Sequence, residues 1–134
     1  DDTDITVYGS GEQTRSFTYV EDVVHWLILL SHDDRAVGDI FNLGNPNEIT
    51  ITELAQRILR LTGSASRLRY IPYDEAYESG FEDMGRRDPD ISKVTALTGY
   101  QPRIDVDEAL RRTIEWFREK RVEEQQRTLR LAGS

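Results

Sequence analysis

Three arginines are the side chains best placed for chemistry in this sequence of 134 residues. Arg15 follows a turn with two glycines and comes just before a predicted helix, and Arg86 and Arg87 lie in an irregular stretch before another. A guanidinium group binds phosphate oxygens through two parallel hydrogen bonds, so two converging arginines would suit a diphosphate. Tyr8, at the end of a predicted strand, could stack on a nucleobase. Surface salt bridges stay open as the alternative role of each arginine.

Other reactive groups are spaced less favourably. His25 and His32 stand seven residues apart, whereas helical histidines that share a metal ion usually stand four apart, so no metal site is predicted. The sequence has no glycine-rich dinucleotide fingerprint after a strand and no Gly-Lys-Ser/Thr phosphate loop. Acidic pairs that could act as acid and base stand in charged runs, which are usually solvated. These pairs are Glu82 with Asp83 and Asp88 with Asp90.

Composition limits the class of protein. With 37% apolar and 31% charged residues, the chain is expected to form one soluble globular domain. A net charge of −8 repels phosphate backbones, so nucleic acid is not an expected partner. The absence of cysteine excludes disulfides and thiolate metal sites. No apolar run is long enough to span a bilayer and no leader is recognisable, so we expect a cytoplasmic protein, and the missing initial methionine suggests a fragment.

The elements that carry these residues alternate short strands with helices. Strands are predicted over 5–8, 39–43 and 68–71, with brief extended segments over 15–18 and 48–50. Helices are predicted over 19–33, from Thr50 to Gly63, over 91–98 and from Asp105 onward, four or five in all. The result is a mixed α/β (α+β) fold rather than a doubly wound sheet, with residues 1–120 as the lobe and residues 121–134 as a charged tail.

Helix starts are marked by two capping boxes, Thr18 with Glu21 and Thr50 with Glu53. The extended segments before Thr18 and Thr50 are predicted to pair and to bring two helix N-termini side by side, an arrangement that favours anions. The first helix gathers its apolar residues on one face. These residues are Val20, Val23, Val24, Leu27 and Ile28.

Five segments, in order and suitably spaced, resemble the C-terminal lobe of the extended short-chain dehydrogenase/reductases that act on nucleotide sugars. They are residues 5–22, 41–45, 51–55, 86–91 and 99–102. The sequence is most similar to UDP-glucuronate decarboxylases and dTDP-glucose 4,6-dehydratases, with UDP-sugar 4-epimerases next, and residues 77–87 resemble a bacterial subgroup of these NAD-dependent epimerases and dehydratases. The resemblance implies a small, helix-rich substrate-binding lobe with short two-stranded sheets and without a Rossmann domain.

The resemblance also implies a site for a UDP- or dTDP-sugar. The strand that holds Thr6 and Tyr8 would run beside the nucleobase, and Asn42 would line the same end of the pocket. Arg15 would reach the diphosphate or the ribose.

An arginine of the Arg86-Arg87 pair would clamp the phosphates. Of these two arginines, the resemblance favours Arg87 over Arg86.

The sequence departs from the family in one respect. The family carries its NAD-binding turn and a catalytic Tyr-x-x-x-Lys pair in the N-terminal lobe, and this sequence has neither, since Pro89 precedes Lys93 by four residues and Trp116 precedes Lys120. We therefore predict no catalytic residue and no bound NAD in this chain, with NAD belonging to the full-length enzyme. Its expected partners are the missing Rossmann lobe and, through an exposed apolar face, other copies of itself. A free-standing nucleotide-sugar binder and a non-binding assembly module remain the alternatives.

Overall fold

Two small β-sheets and the helices between them organise the chain in the computed structural model, which describes residues 3–76 and 84–132, with side chains up to residue 126. The strands are β1 (Ile5–Tyr8), β2 (Thr14–Ser16), β3 (Glu48–Thr50), β4 (Leu68–Ile71) and β5 (Arg86–Arg87). The helices are α1 (Val20–Ser31), α2 (Ile51–Thr62), α3 (Tyr73–Ala76), α4 (Ser92–Thr98) and α5 (Val106–Ala132), with a 3₁₀ turn at Asp34–Ala36. The predicted mixed α/β fold is confirmed.

The first sheet joins β1 and β4 in parallel, and the second has the order β3-β2-β5. The predicted pairing of the segments before Thr18 and Thr50 is confirmed, because β2 and β3 pair antiparallel. The register sets Ser16, at the end of β2, opposite Glu48, at the start of β3. α1 and α2 therefore leave from opposite ends of the ladder, and the prediction of neighbouring helix N-termini was wrong. This sheet also has three strands rather than two, because β5 pairs in parallel with β2.

Helix ends follow the local sequence at α2 but not at α1. The Thr50 hydroxyl accepts a hydrogen bond from the Glu53 amide at 3.0 Å, and Gly63 ends α2 in the left-handed region at φ 65°. The residue that caps α1 is Tyr19, whose side chain makes no capping bond. The Thr18 hydroxyl instead accepts from the Asn45 amide at 2.8 Å, so a tertiary contact replaces the predicted capping box.

The predicted strand over residues 39–43 is absent from the structure, which was a wrong prediction. Among the residues that the structure describes, no strand pairs with this segment, so its β-branched and aromatic side chains join no ladder. The segment is held from α4 instead. The Lys93 ammonium donates to the Asp39 carboxylate and, at 3.0 Å, to the Ile40 carbonyl, and it lies 4.8 Å from the centre of the Phe41 ring.

The buried core is built around α1 and α4. Trp26, Val94 and Tyr100 form its centre, and the Trp26 and Tyr100 rings meet edge to face with their centres 5.4 Å apart. The partly buried residues packed against this centre are Leu29, Leu30, Phe41, Leu43 and Ile91. α1 thus packs through the side that carries Trp26, and its opposite side faces outward.

That outward side is an apolar surface. We define the α1 apolar face as Val20, Val24, Leu27 and Ile28, each about half exposed or more. Residues at these spacings lie on one side of a helix, so the apolar stripe that the sequence predicted exists but is not part of the core.

A buried carboxylate joins α1 to the segment before α5. Asp22 is 1% exposed and accepts three hydrogen bonds, from the Tyr100 hydroxyl at 2.5 Å and from the amides of Arg103 and Ile104 at 3.0 and 3.1 Å. Burial alone would raise the pKa of Asp22, but these hydrogen bonds hold it below its usual value. Burial and the bond to Asp22 raise the pKa of Tyr100 to about 12.

α5 is the longest element and continues through Ala132, so it includes most of the predicted tail. It is tied to α2 by Arg57, which donates to Asp107 at 2.9 Å and also pairs with Glu53. In the described ranges 3–76 and 84–132, no helix combines the length and the apolar character needed to cross a membrane.

Candidate functional site

A cleft of about 820 Å³ opens beside the three-stranded sheet. Its walls come from β2 and the connection to α1, from the loop around Asn42 to Gly44, and from residues 84–90. Four of the six predicted site residues line it: Arg15, Asn42, Arg86 and Arg87. Residues that are up to 72 positions apart in the sequence therefore meet in one cleft.

The register of β2 and β5 brings two of the arginines together. Arg15 stands directly opposite Arg87 in a parallel pair, and residues opposite one another on neighbouring strands share a face of the sheet. Ile49, opposite Arg15 on β3, lies on the same face and is 7% exposed. Like charges at opposed positions on neighbouring strands are unfavourable, and an anion bound at this face would offset that cost.

Arg86 lies on the other face of β5, because successive strand residues point to opposite sides. Its guanidinium donates to Glu48 at 2.7 Å and to Asp88 at 3.0 Å. The hydrogen bond and the charge of Glu48 raise the pKa of Arg86. For Arg87, the structure of residues 3–76 and 84–126 contains no side-chain ion pair. Arg86 is thus already engaged with carboxylates, and Arg87 is the better placed of the two to meet a ligand.

The loop after Asn42 packs tightly against the neighbouring segments on its side of the cleft. Ser16 donates to the Asn45 carbonyl, and Thr18 accepts from the Asn45 amide, so the loop after Asn42 is fixed to the end of β2. Gly44 lies against Pro89, and a Cβ at this position would come within 2.3 Å of the proline ring. A glycine is therefore required for residues 84–90 to approach the loop.

Thr6 and Tyr8 do not line this cleft. Both lie on β1 in the other sheet and are exposed, while Val7 between them is 1% exposed. The Tyr8 carbonyl accepts a hydrogen bond from Gln13 at 3.0 Å. Their contact with a nucleobase stays a prediction.

The other candidate groups are engaged in local contacts. His32 bonds the Ile28 carbonyl through Nδ1 at 2.8 Å, and the exposed His25 ring packs against Tyr100. Asp90 accepts from the side chain and the amide of Ser92, which lowers its pKa. In the part of the chain that the structure describes, no three metal-ligating side chains come together.

Glu82 and Asp83 lie outside the described residues, as does the 77–83 part of the stretch that resembles a bacterial subgroup. Asp88, the other half of the second acidic pair, is bound to Arg86. Asp88 and Asp90 are therefore each engaged in a contact of their own rather than paired with each other.

Sequence reasoning missed two carboxylates that matter to the site and its support. Glu48 was seen only as part of a brief extended segment. Its pairing with β2 was predicted, but its contact with Arg86 also depends on the pairing of β5 with β2, which has no signal in the sequence. Asp22 gave no local signal, because its three donors lie 78 to 82 residues further along the chain.

Comparisons with known proteins agree on a family. Residues 1–113 match the sequence profile of the family described as GDP-mannose 4,6 dehydratase. The chain is 40% identical over 116 residues to UDP-N-acetyl-alpha-D-glucosaminuronate decarboxylase from Bacillus cytotoxicus, an alignment that covers 87% of this chain and 36% of that protein. The chain thus spans about a third of the length of this relative.

Solved structures share the fold. UDP-glucose 4-epimerase from Thermotoga maritima, determined with UDP-glucose, is 27% identical with a TM-score of 0.75 over 87% of this chain and 35% of that one. UDP-glucuronic acid 4-epimerase from Bacillus cereus, determined with UDP-glucuronic acid and NAD, is 23% identical with a TM-score of 0.70 over 81% of this chain and 33% of that one. The second likeness is evidence for the fold alone.

Proposed function

This chain belongs to the GDP-mannose 4,6 dehydratase family, within the NAD-dependent epimerases and dehydratases of the extended short-chain dehydrogenase/reductases, and we propose that it is the lobe that binds the nucleotide sugar. The ligand is a UDP- or dTDP-sugar, held by its diphosphate in the cleft between β2, β5 and the Asn42 loop. The observation that carries this proposal is the direct opposition of Arg15 and Arg87 on one face of the sheet.

Charge supports this assignment. Three arginines and two aspartates line the cleft, and Asp88 is bound to Arg86. The register brings the positive charges of Arg15 and Arg87 to one face of the sheet, and a diphosphate would meet them there in spite of the chain's net charge of −8. Charges in direct contact with the ligand interact with it more strongly than distant charges, which are screened by salt. The UDP-glucose in the epimerase from Thermotoga maritima agrees with a ligand of this class.

We propose that NAD binding and catalysis belong to a part of the enzyme that this chain does not contain. The sequence has neither a glycine-rich dinucleotide fingerprint nor a Tyr-x-x-x-Lys pair, so the residues present do not fit NAD. The length of the relative from Bacillus cytotoxicus, of which the alignment covers 36%, supports the same division.

Calorimetric titration with UDP, dTDP and UDP-glucuronic acid at low salt tests the binding proposal. We expect measurable binding, with a preference for one nucleotide, and a loss of at least about tenfold in Arg15→Ala, because a charge-assisted hydrogen bond contributes about 1.5–3 kcal/mol. Arg60→Ala, on the exposed side of α2, is the matched control and should bind like the wild type. Absence of binding at millimolar ligand, or equal affinity in Arg15→Ala, would contradict the proposal.

Self-association through the α1 apolar face is the second expectation. Large exposed apolar patches are typical of interaction surfaces, and this face consists of four exposed apolar side chains. We expect concentration-dependent sedimentation of the wild type and binding of a hydrophobic dye, both reduced in Leu27→Glu. Val37→Glu removes an apolar residue that is 81% exposed but lies outside the face, and it should change neither. A wild-type monomer at all concentrations, without dye binding, would refute this expectation.

A further inference from the structure

A chain of polar contacts crosses the three-stranded sheet on the face opposite Arg15 and Arg87. The Thr14 hydroxyl donates to Glu48 Oε1 at 2.9 Å, and Arg86 Nε donates to Glu48 Oε2 at 2.7 Å. Arg86 then donates to Asp88 at 3.0 Å. Glu48 is on β3 and Arg86 is on β5, so their ion pair joins the two outer strands across β2.

β5 has few other attachments. It is two residues long and, among the described residues, pairs only with β2; next to it the Thr14 amide donates to the Gly85 carbonyl at 2.9 Å. So short a strand is weakly held by its ladder alone. The Glu48 side chain is 16% exposed and that of Arg86 is 69% exposed, so the pair is shielded from water on the Glu48 side only. The ion pair therefore adds a contact from β3 to the short ladder that holds β5.

We propose that Glu48 is a positioning residue for anion binding. It holds Arg86, and through Arg86 it holds β5, so that Arg87 on the other face stays opposite Arg15. The inference rests on the proposed function, because Arg87 is taken there to contact the diphosphate. Glu48 itself touches no ligand in this scheme.

The direction in which the affinity changes when Glu48 is removed distinguishes a positioning role from a purely electrostatic effect. Glu48 is an anion near a site for anions, so its removal would tighten binding if only the local charge mattered. If Glu48 positions Arg87, its removal weakens binding although the local charge becomes more positive. Glu48→Gln is the suitable variant, since it keeps the shape and removes the charge.

UDP titration and amide hydrogen exchange together test the proposal on the full chain. In Glu48→Gln we expect about tenfold weaker UDP binding, which corresponds to about 1.4 kcal/mol, and faster exchange of the Thr14 amide as β5 loosens. Glu108→Gln removes a carboxylate on α5 that pairs with two arginines, and it should change neither. In an Arg87→Ala background, Glu48→Gln should have no further effect on UDP affinity, because the residue through which it acts is gone.

The outcomes also separate this proposal from the proposed function. Unchanged Thr14 exchange, or equal or tighter UDP binding in Glu48→Gln, would overturn the positioning role and leave the binding function intact. An additive loss in the Arg87→Ala background would overturn it too. If the wild type does not bind UDP while Glu48→Gln still loses Thr14 protection, the binding function fails and Glu48 is shown to hold β5 without serving a UDP site.

Discussion

Asp22→Ala is expected to lower the free energy of unfolding by about 3–5 kcal/mol, the largest effect of any single substitution considered. The variant leaves the Tyr100 hydroxyl and the amides of Arg103 and Ile104 without their shared acceptor. Each buried donor left without a partner lowers the free energy of unfolding by about 1–3 kcal/mol, and by less where water can replace the lost acceptor. Loss of the contact also detaches the segment before α5 from α1.

Urea denaturation measures this loss, and Tyr100→Phe is its matched control. The phenylalanine keeps the ring and removes one of the three donors, so we expect a smaller cost of about 1–2 kcal/mol. A loss below about 1 kcal/mol in Asp22→Ala would be incompatible with a structural role for this network.

The stability of the same network should depend on pH. The pKa of Asp22 is lowered in the folded state, so its contribution is present above the unfolded pKa of about 4 and is lost as the pH falls through the folded value. The pKa of Tyr100 is raised to about 12, so its contribution is complete below about pH 10 and is lost as the pH rises through 12. Asp22→Asn should flatten the acid limb of the profile.

Arg87→Ala is expected to weaken UDP binding by about 30- to 150-fold, the largest effect on the site. This range corresponds to about 2–3 kcal/mol for a charge-assisted pair of hydrogen bonds. Arg86→Ala should weaken UDP binding by about tenfold, because Arg86 acts by holding β5 and its guanidinium is already bound to Glu48 and Asp88.

Calorimetric titration of both variants and of Arg87→Lys provides the comparison. The lysine keeps the charge but loses the planar fork, so we expect an intermediate affinity. If Arg86→Ala abolishes binding while Arg87→Ala binds normally, the two roles are reversed. If both bind like the wild type, the cleft is not the diphosphate site.

Elements with strong local signals were predictable from the sequence. β1 and β4 are short β-branched or aromatic runs, and α2 carries both its N-terminal threonine cap and its C-terminal glycine. Failures occurred where tertiary contacts decide the conformation. Thr18 has the right spacing for a cap but bonds the loop at Asn45. Residues 39–43 have strand-forming side chains, but no strand in the described ranges pairs with them.

The residue types of the candidate site could be read from the sequence, but their arrangement could not. Arginines near helix starts indicate anion binding, and the family resemblance selected Arg15 and Arg87. Only the register of β2 with β5 decides that these two stand opposite each other and that Arg86 faces away. A two-residue strand such as β5 is too short for alternation to be visible in a sequence.

The position of the two tryptophans gives the chain two distinct optical reporters. Trp26 is 0% exposed and packs against Tyr100, whereas Trp116 on α5 is 52% exposed and contacts Phe117. An indole in a dry environment emits at shorter wavelength than one in water, and a dissolved quencher reaches only the exposed ring. The intrinsic fluorescence of one unlabelled protein therefore separates events in the core from events along α5.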